Sequence, residues 1–280
     1  MTRTAVPLGD VPIRRVTIPG ARLALADVGD ARAIPVVMVP GYTGSKEDFG
    51  PLLAPLAEAG FRAIAYDQRG QHESTGAGGA YTPEALAADL LALLQTLALP
   101  PAHLVGHSFG GLVARAAVLR APDRFESLVL MDSGPAALPG ARAHGMRRLR
   151  PVLLEHGLEA VWAALEPTTS SSDFGRRRFL AQHPPAVVAM GDALLAEPDR
   201  TEELRTVAAA HALPILVLTG ERDDAWSPRQ QRAMARRLRA RYVEIAGAVH
   251  SPAVEEPAAT LAALCSFYAS LGLPERGVLG

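Results

Sequence analysis

Ser108 stands between two glycines in the run Leu104, Val105, Gly106, His107, Ser108, Phe109, Gly110, Gly111, which fits the pattern G-x-S-x-G. A serine hydroxyl is a weak nucleophile until a base takes its proton, so the pattern matters only where the backbone presents the side chain at the end of a strand. The spacing answers that need. A chain turning sharply from strand into helix strains the turn residue, and bulk two residues to either side would clash. A helix starting behind the serine also aims free N–H groups at the place where negative charge develops. Nucleophilic acyl transfer is the chemistry implied; the inert alternative is a glycine-rich strand–helix turn. The lone cysteine, Cys265, reads as part of the apolar face of a helix, where a thiol is buried and unreactive.

The elements around Ser108 supply the required context. Short apolar runs that read as strands cover Val16–Ile18, Leu23–Val28, Pro35–Val39, Phe61–Tyr66, Ala102–Gly106, Ser127–Met131, Ile215–Leu218 and Tyr242–Ile245. Helical patterns alternate with them at Pro51–Ala59, Glu84–Leu97, Phe109–Leu119, Pro228–Ala240 and Val254–Leu271. Thr82 and Pro83 form a helix start of the usual kind. Such alternation predicts an α/β fold, a mostly parallel sheet with helices on both faces. From about Gly134 to Ala210 no strand is visible, only helical patterns and arginine clusters. The predicted organisation is therefore a core of residues 1–133 and 211–280, with residues 134–210 inserted as a helical cap. Pro135–Gly140 and Thr168–Asp173 read as hinges or loops.

Bulk properties exclude several classes. The chain has 280 residues, 49% hydrophobic and 20% charged, with a net charge of −1, so nothing points to nucleic acid or an anionic membrane surface. One cysteine leaves no intramolecular disulfide. No apolar stretch approaches the ~20 residues that span a bilayer, and no signal core follows Arg3, so a cytoplasmic location is expected. A small-molecule substrate is the expected partner.

On its elbow and strand order the chain resembles the α/β-hydrolase superfamily, and the resemblance implies three further features. An oxyanion-hole turn should follow the third strand, and Val39, Pro40, Gly41, Tyr42, Thr43 and Gly44 occupy that place, with Pro40 where the family often has histidine. The backbone N–H groups of Tyr42 and Phe109 would be the oxyanion donors. A general base should come late in the chain, and Gly247, His250, Pro252, Glu255 and Pro257 resemble the family's G-x-x-H-x-P-x-x-E-x-P pattern. A neutral imidazole at His250 would take the serine proton. An acid should lie between the two: counting from Gly220 gives Asp223, and counting back from Pro228 gives Asp224. Asp223 is taken as the triad acid, with Asp224 as the alternative. The other histidines read as solvated or packing residues, with His107 behind the elbow and His72 in a surface turn, Asp67–Ser74.

The resemblance implies a serine hydrolase acting on a carboxylic ester through an acyl-enzyme, with no metal or organic cofactor, since no ligand spacing occurs. Lactonase, thioesterase, C–C bond hydrolase and cofactor-free perhydrolase activity are variants on the same residues. A ligand sensor that keeps the triad but turns over slowly is the rival outside that class. In the cap, Trp162, Phe174, Phe179, Leu180, Met190 and Leu194 read as a small core rather than a pocket lining. Arg147–Arg148 and Arg176–Arg178 read as solvated helix faces.

Overall fold

A computed structural model describes residues 5–74, 78–165 and 173–272. Eight strands form one sheet: β1 Ile13–Ile18, β2 Ala21–Val28, β3 Ile34–Val39, β4 Phe61–Tyr66, β5 Ala102–His107, β6 Phe125–Met131, β7 Ile215–Gly220 and β8 Arg241–Ile245. Their order is β1-β2-β4-β3-β5-β6-β7-β8. β2 pairs antiparallel with both β1 and β4, and every other pairing is parallel. The central parallel strands β3, β5 and β7 are buried along nearly their whole length because both faces are covered, whereas the edge strand β8 exposes Arg241 and Glu244. In β6, Leu128 and Leu130 enter one core, while Val129 and Met131 enter the other.

Helices cover both faces of the sheet: α1 Gly50–Glu58, α2 Pro83–Thr96, α3 Phe109–Arg120, α8 Pro228–Leu238 and α10 Pro257–Ala269. α2 and α3 cover one face through Leu86, Leu90, Leu112 and Val113, joined there by Met234 and Leu238 of α8. α1 and α10 cover the other through Leu52, Leu56, Leu264 and Phe267. Thr82 caps α2, its Oγ1 accepting from the Ala85 N–H at 3.3 Å. The expected single helix Val254–Leu271 is broken into α9 Pro252–Glu255 and α10, because Glu256 precedes Pro257 and is driven out of the helical region to φ −134°.

Between Met131 and Ile215 the described residues contain no strand. They form α4 Gly140–Ala164, kinked at Gly157 where φ is 75°, then α5 Asp173–Leu180, α6 Pro184–Ala196 and α7 Thr201–Ala210. α4 packs on α5 and α6 around Leu153, Leu158, Val161 and Val187. α7 packs instead on α3 and α8, so the tract expected as cap, 134–210, takes in one helix of the sheet layer. Right-handed return from β6 to β7 needs a helix on that face, which is the place α7 fills. The expected loop at Thr168–Asp173 lies outside the described residues except for Asp173.

Buried Arg115 on α3 grips both ends of the insertion. Its guanidinium donates to the Pro135 carbonyl at 2.8 Å and to Glu197 Oε1 at 2.7 Å. A buried charge needs such a partner, and the pair here fastens the insertion to the helix behind Ser108.

Candidate active site

The elbow is built as the glycine spacing requires. Ser108 has φ 53° and ψ −119°, a conformation rare for a side-chain-bearing residue. Its N–H donates to Met131 O at 2.9 Å, and its carbonyl accepts from the Gly111 N–H at 2.9 Å. A Cβ at Gly106 would lie 2.5 Å from the Gly110 carbonyl oxygen, and one at Gly110 would lie 2.2 Å from that of Val39. Glycine is therefore required on both sides by backbone crowding.

His250 follows β8 and reaches the elbow. Its Nε2 lies 3.1 Å from Ser108 Oγ, and its Nδ1 lies 2.8 Å from Asp223 Oδ1 in the loop after β7. Because a carboxylate only accepts, Nδ1 carries the proton, which leaves Nε2 free to accept from the serine. Glu255 holds the histidine loop: its Oε2 accepts from the N–H of Val249 at 2.6 Å and of Ser251 at 3.1 Å, on either side of His250. That is the physical content of a glutamate five residues after the histidine.

Asp223 is buried, and its carboxylate also accepts from the Ala225 N–H at 2.8 Å and from Gln231 Nε2 at 2.6 Å. Asp224 instead takes the Arg142 guanidinium at 2.6 Å, on the more exposed side of the loop. The acid loop packs under the entry to the insertion. Trp226 is fully buried there, with Nε1 donating to Ala136 O at 3.1 Å.

His107 donates from Nε2 to the His250 carbonyl at 2.6 Å. Burial, then the neighbouring His250, hold its pKa down to about 4, so it is a neutral donor near pH 7. The third-strand turn lies against the elbow, where a Cβ on Gly41 would come within 3.1 Å of Ser108 Cβ. Gly44 N–H closes the turn on Gly41 O at 3.1 Å. Phe109, as the first residue of α3, has no intrahelical acceptor for its N–H.

Asp67–Ser74, expected as a surface turn, is largely buried. Its glutamines support the oxyanion-side turn: Gln68 donates to Pro40 O at 2.8 Å and Gln71 to Gly41 O at 2.7 Å. Pro40 thus contributes through its carbonyl. The same segment carries Asp67 and Glu73, which take the buried Lys46 ammonium at 3.0 and 2.6 Å. A buried ammonium needs such acceptors, and they draw the turn inward.

The insertion roofs a cavity of about 520 Å³ that contains Ser108 and His250. A second, apolar chamber of about 210 Å³ runs on between α4 and α6, floored by Tyr42 and lined by Leu153, Val161, Phe179 and Val188. Tyr42, Thr43, Met146, Leu149 and Leu165 line both, so the two spaces adjoin. The Tyr42 phenol is pushed up in pKa by burial, then by Asp192, and stays neutral. Of the apolar residues expected as cap core, Phe179 and Leu194 line cavities, Met190 packs into the main core, and Trp162 stacks on Phe179 at 5.4 Å.

Arg178, expected on a solvated face, turns into the catalytic cavity. It pairs with Asp48 and donates to Ser45 Oγ at 3.1 Å. Asp48 supplies the carboxylate that draws it there, while Arg176 stays outside with Glu159. Arg178–Asp48 and Arg142–Asp224 join the insertion to the core on the two rims of the cavity, and its wall charges pair off.

Among the described residues, three groups of His, Asp and Glu bring possible ligand atoms within 4.8 Å of one another: His107, Asp132 and His250; Asp223, Asp224 and His250; Glu47, His72 and Glu73. In the first two the histidines are engaged as described. In the third the Lys46 ammonium already lies 2.9 Å from Glu47 and 2.6 Å from Glu73.

Asp132, Gln231 and the two glutamines Gln68 and Gln71 were not singled out as functional from sequence. Asp132 carried one usable signal: a carboxylate directly after an apolar parallel strand, the position where this kind of sheet gathers its active-site groups.

The sheet order, the strained serine and the three loops at the strand ends define an α/β hydrolase. Residues 34–257 match the family model described as alpha/beta hydrolase fold, and the chain belongs to that family of enzymes. The putative non-heme bromoperoxidase BpoC of Mycobacterium tuberculosis (strain ATCC 25618 / H37Rv) is 28% identical over 259 residues, covering 85% of this chain and 94% of that one. The putative carbamate hydrolase RutD of Variovorax paradoxus (strain S110) is 42% identical over 106 residues. That match spans only 38% of this chain and 40% of the relative. Among solved structures, a thermophilic esterase from Thermogutta terrifontis has a TM-score of 0.79 at 27% identity, covering 93% of this chain and 100% of its own. The enol-lactonase from Burkholderia xenovorans LB400 has a TM-score of 0.77 at 26% identity, covering 91% and 100%. Among the described residues no helix is long and apolar enough to cross a membrane.

Proposed function

We propose that the chain is a serine hydrolase cleaving a small, uncharged carboxylic ester or lactone with one apolar arm. The observation that carries this reading is the relay itself: Asp223 to His250 at 2.8 Å and His250 to Ser108 at 3.1 Å, at the floor of a cavity that opens into an apolar chamber. Ser108 Oγ attacks the carbonyl carbon while His250 Nε2 takes its proton. Asp223 holds the imidazole tautomer and stabilises the imidazolium. The oxyanion turns toward the N–H groups of Phe109 and Tyr42, which face developing charge at the start of α3 and in the turn after β3. Collapse breaks the ester bond, and His250 returns the proton to the departing alcohol. Water, activated by the same imidazole, then adds to the acyl-enzyme and releases the acid with Ser108 restored.

The paired charges of the cavity favour an uncharged substrate, since among the described residues an isolated anion would find no unpaired cation on its wall. The apolar chamber suits an acyl or alkyl chain. The test is a series of p-nitrophenyl esters graded by chain length, run with the wild type and Ser108→Ala. Turnover and labelling by a fluorophosphonate should vanish together in Ser108→Ala. Retained turnover in that variant sinks the reading, as does stoichiometric labelling of the wild type without steady-state turnover on any ester, which is the behaviour of a slow sensor. The similarity to BpoC favours one second reaction on the same acyl-enzyme, attack by hydrogen peroxide in place of water to give a peracid. Acetate-dependent bromination of a chromogenic acceptor would measure it.

A further inference from the structure

Asp132 is fully buried at the end of β6, with φ 44°, beside the triad acid. Its backbone N–H is spent on Leu218 O at 2.9 Å, which ties the position to β7. Its Oδ1 accepts from two donors, Thr219 Oγ1 at 3.0 Å and the Gly220 N–H at 2.8 Å. Its Oδ2 is buried, and no donor among the described residues reaches it. The Asp223 carboxyl adjoins that of Asp132. Two carboxylates cannot hydrogen-bond to each other unless one carries a proton.

The surrounding bonds decide which. Asp223 already accepts from His250, Ala225 and Gln231. Gln231 Nε2 lies 2.7 Å from Thr219 Oγ1, 2.6 Å from Asp223 Oδ2 and 2.8 Å from Trp226 O, and the threonine hydroxyl donates to Asp132 Oδ1 at 3.0 Å. The chain of donors runs Gln231 to Thr219 to Asp132 and, from the other side, Gln231 to Asp223. With three donors already on Asp223 and none among the described residues on Asp132 Oδ2, the hydrogen shared by the two carboxyls sits on Asp132.

We propose that Asp132 is a positioning residue of the catalytic site: a carboxylic acid kept neutral, whose Oδ2–H donates to Asp223 and holds that carboxylate against His250. The inference rests on the triad reading above. Burial, then the adjacent Asp223, push the Asp132 carboxyl well above the ordinary carboxylate range, in the same direction. The other titratable groups facing Asp132 are His250 and His107, whose ring nitrogens lie within 4.8 Å of a carboxylate oxygen of Asp132. His107 is neutral near pH 7 and adds no charge to the site. A neutral Asp132 leaves Asp223 as the one anion next to the imidazole. An ionised Asp132 would add a second negative charge and pull His250 away from a single orientation.

Asp132→Asn and Asp132→Val separate the cases. Asparagine keeps an acceptor for Gly220 and Thr219 and a donor for Asp223, and it cannot ionise. Histidine-labelled NMR reads the His250 titration in wild type and Asp132→Asn without requiring any turnover, so it stands even if no ester is cleaved. The expected midpoints agree to within a few tenths of a pH unit, because one neutral group replaces another. A downward shift of ~1 unit or more would mean that a negative charge had been removed and would overturn the proposal. In ester kinetics Asp132→Asn should stay within about 3-fold of wild type, whereas Asp132→Val should lose roughly 10- to 100-fold in kcat, as befits a lost bond to a charged group. Equal impairment of the two variants would also overturn it. If the valine variant fails to fold, the asparagine titration decides alone.

Discussion

The imidazole of His107, one residue before the nucleophile, donates to the main-chain carbonyl of His250, the proposed base, across 2.6 Å. The bond spans 143 residues of chain between the elbow and the histidine loop. Strand end and histidine loop are thereby registered to each other. The His107 ring is neutral near pH 7 and donates without adding charge beside His250.

Removing that bond should cost rate without moving the titration. His107→Ala is expected to lower kcat about 3- to 10-fold, the worth of one ordinary hydrogen bond. The midpoint of kcat/KM against pH should stay put, because His107 is neutral throughout the working range. His250→Ala should abolish most of the rate together with that ionisation. A midpoint that moves in His107→Ala would show that His107 titrates with the base.

The two neighbouring aspartates should behave differently. Asp223→Asn should reduce kcat by up to about 10⁴-fold, because a carboxamide favours the wrong imidazole tautomer. Asp224→Asn loses only an exposed pair with Arg142, and surface pairs are worth ~0–1 kcal/mol, so kcat should change less than about 3-fold. Single-turnover kinetics on one ester distinguish the two. The opposite ranking would move the acid to position 224.

Chain-length preference should respond to the neck between the two cavities. Gly191 of α6 faces it, and a Cβ there would lie 3.2 Å from Tyr42 Oη and 3.3 Å from Met146 Cε. Gly191→Leu would fill that space. Hydrolysis of hexanoyl esters should fall by about 10-fold or more in kcat/KM while acetyl ester hydrolysis is nearly unchanged, as expected when a few methylenes lose their pocket. A uniform loss across chain lengths would show that the chamber does not take the acyl group.

Acid stability should depend on a histidine far from the chemistry. His103, at the start of β5, packs against Tyr268 and hydrogen-bonds to Ser127, and burial holds its pKa down to about 4. An unfolded histidine titrates near ~6.5. Between those values the unfolded chain binds a proton that the folded chain refuses, so stability is lost as pH falls from about 6.5 to about 4. The contribution is of order 1–3 kcal/mol, and His107 adds a similar one in the same window. His103→Gln, which cannot titrate, should flatten the fall in Tm between pH 7 and pH 5. Thermal melts across that range would show the same slope in both proteins if the residue plays no part.

The sequence alone determined the parts of this protein that rest on local rules. Eight apolar runs gave eight strands because strands covered on both faces need no alternation. Gly106 and Gly110 announced the elbow because the crowding they relieve is set by backbone atoms within a few residues and one neighbouring strand. Thr82 with Pro83 marked the start of α2, since a cap acts within one turn. His250 and Glu255 were legible for the same reason, their bonds lying within six residues.

What only the tertiary structure decided was every relation between distant segments. Counting along the acid loop gave two candidates; the geometry gives the His250 hydrogen bond to Asp223 and pairs Asp224 with Arg142, a partner that only folding brings near. The Asp67–Ser74 turn went inward because it meets Lys46 and the Pro40–Gly41 carbonyls, partners 21 to 30 residues away. Arg178 left its exposed neighbours for the same kind of reason, an Asp48 carboxylate 130 residues earlier. Asp132 gave no sign of its setting beyond its place at a strand end. Its burial beside a second carboxylate arises only when β6 and β7 are laid side by side, because hydrogen bonds and charge repulsion depend on distance in space, and sequence separation does not report it.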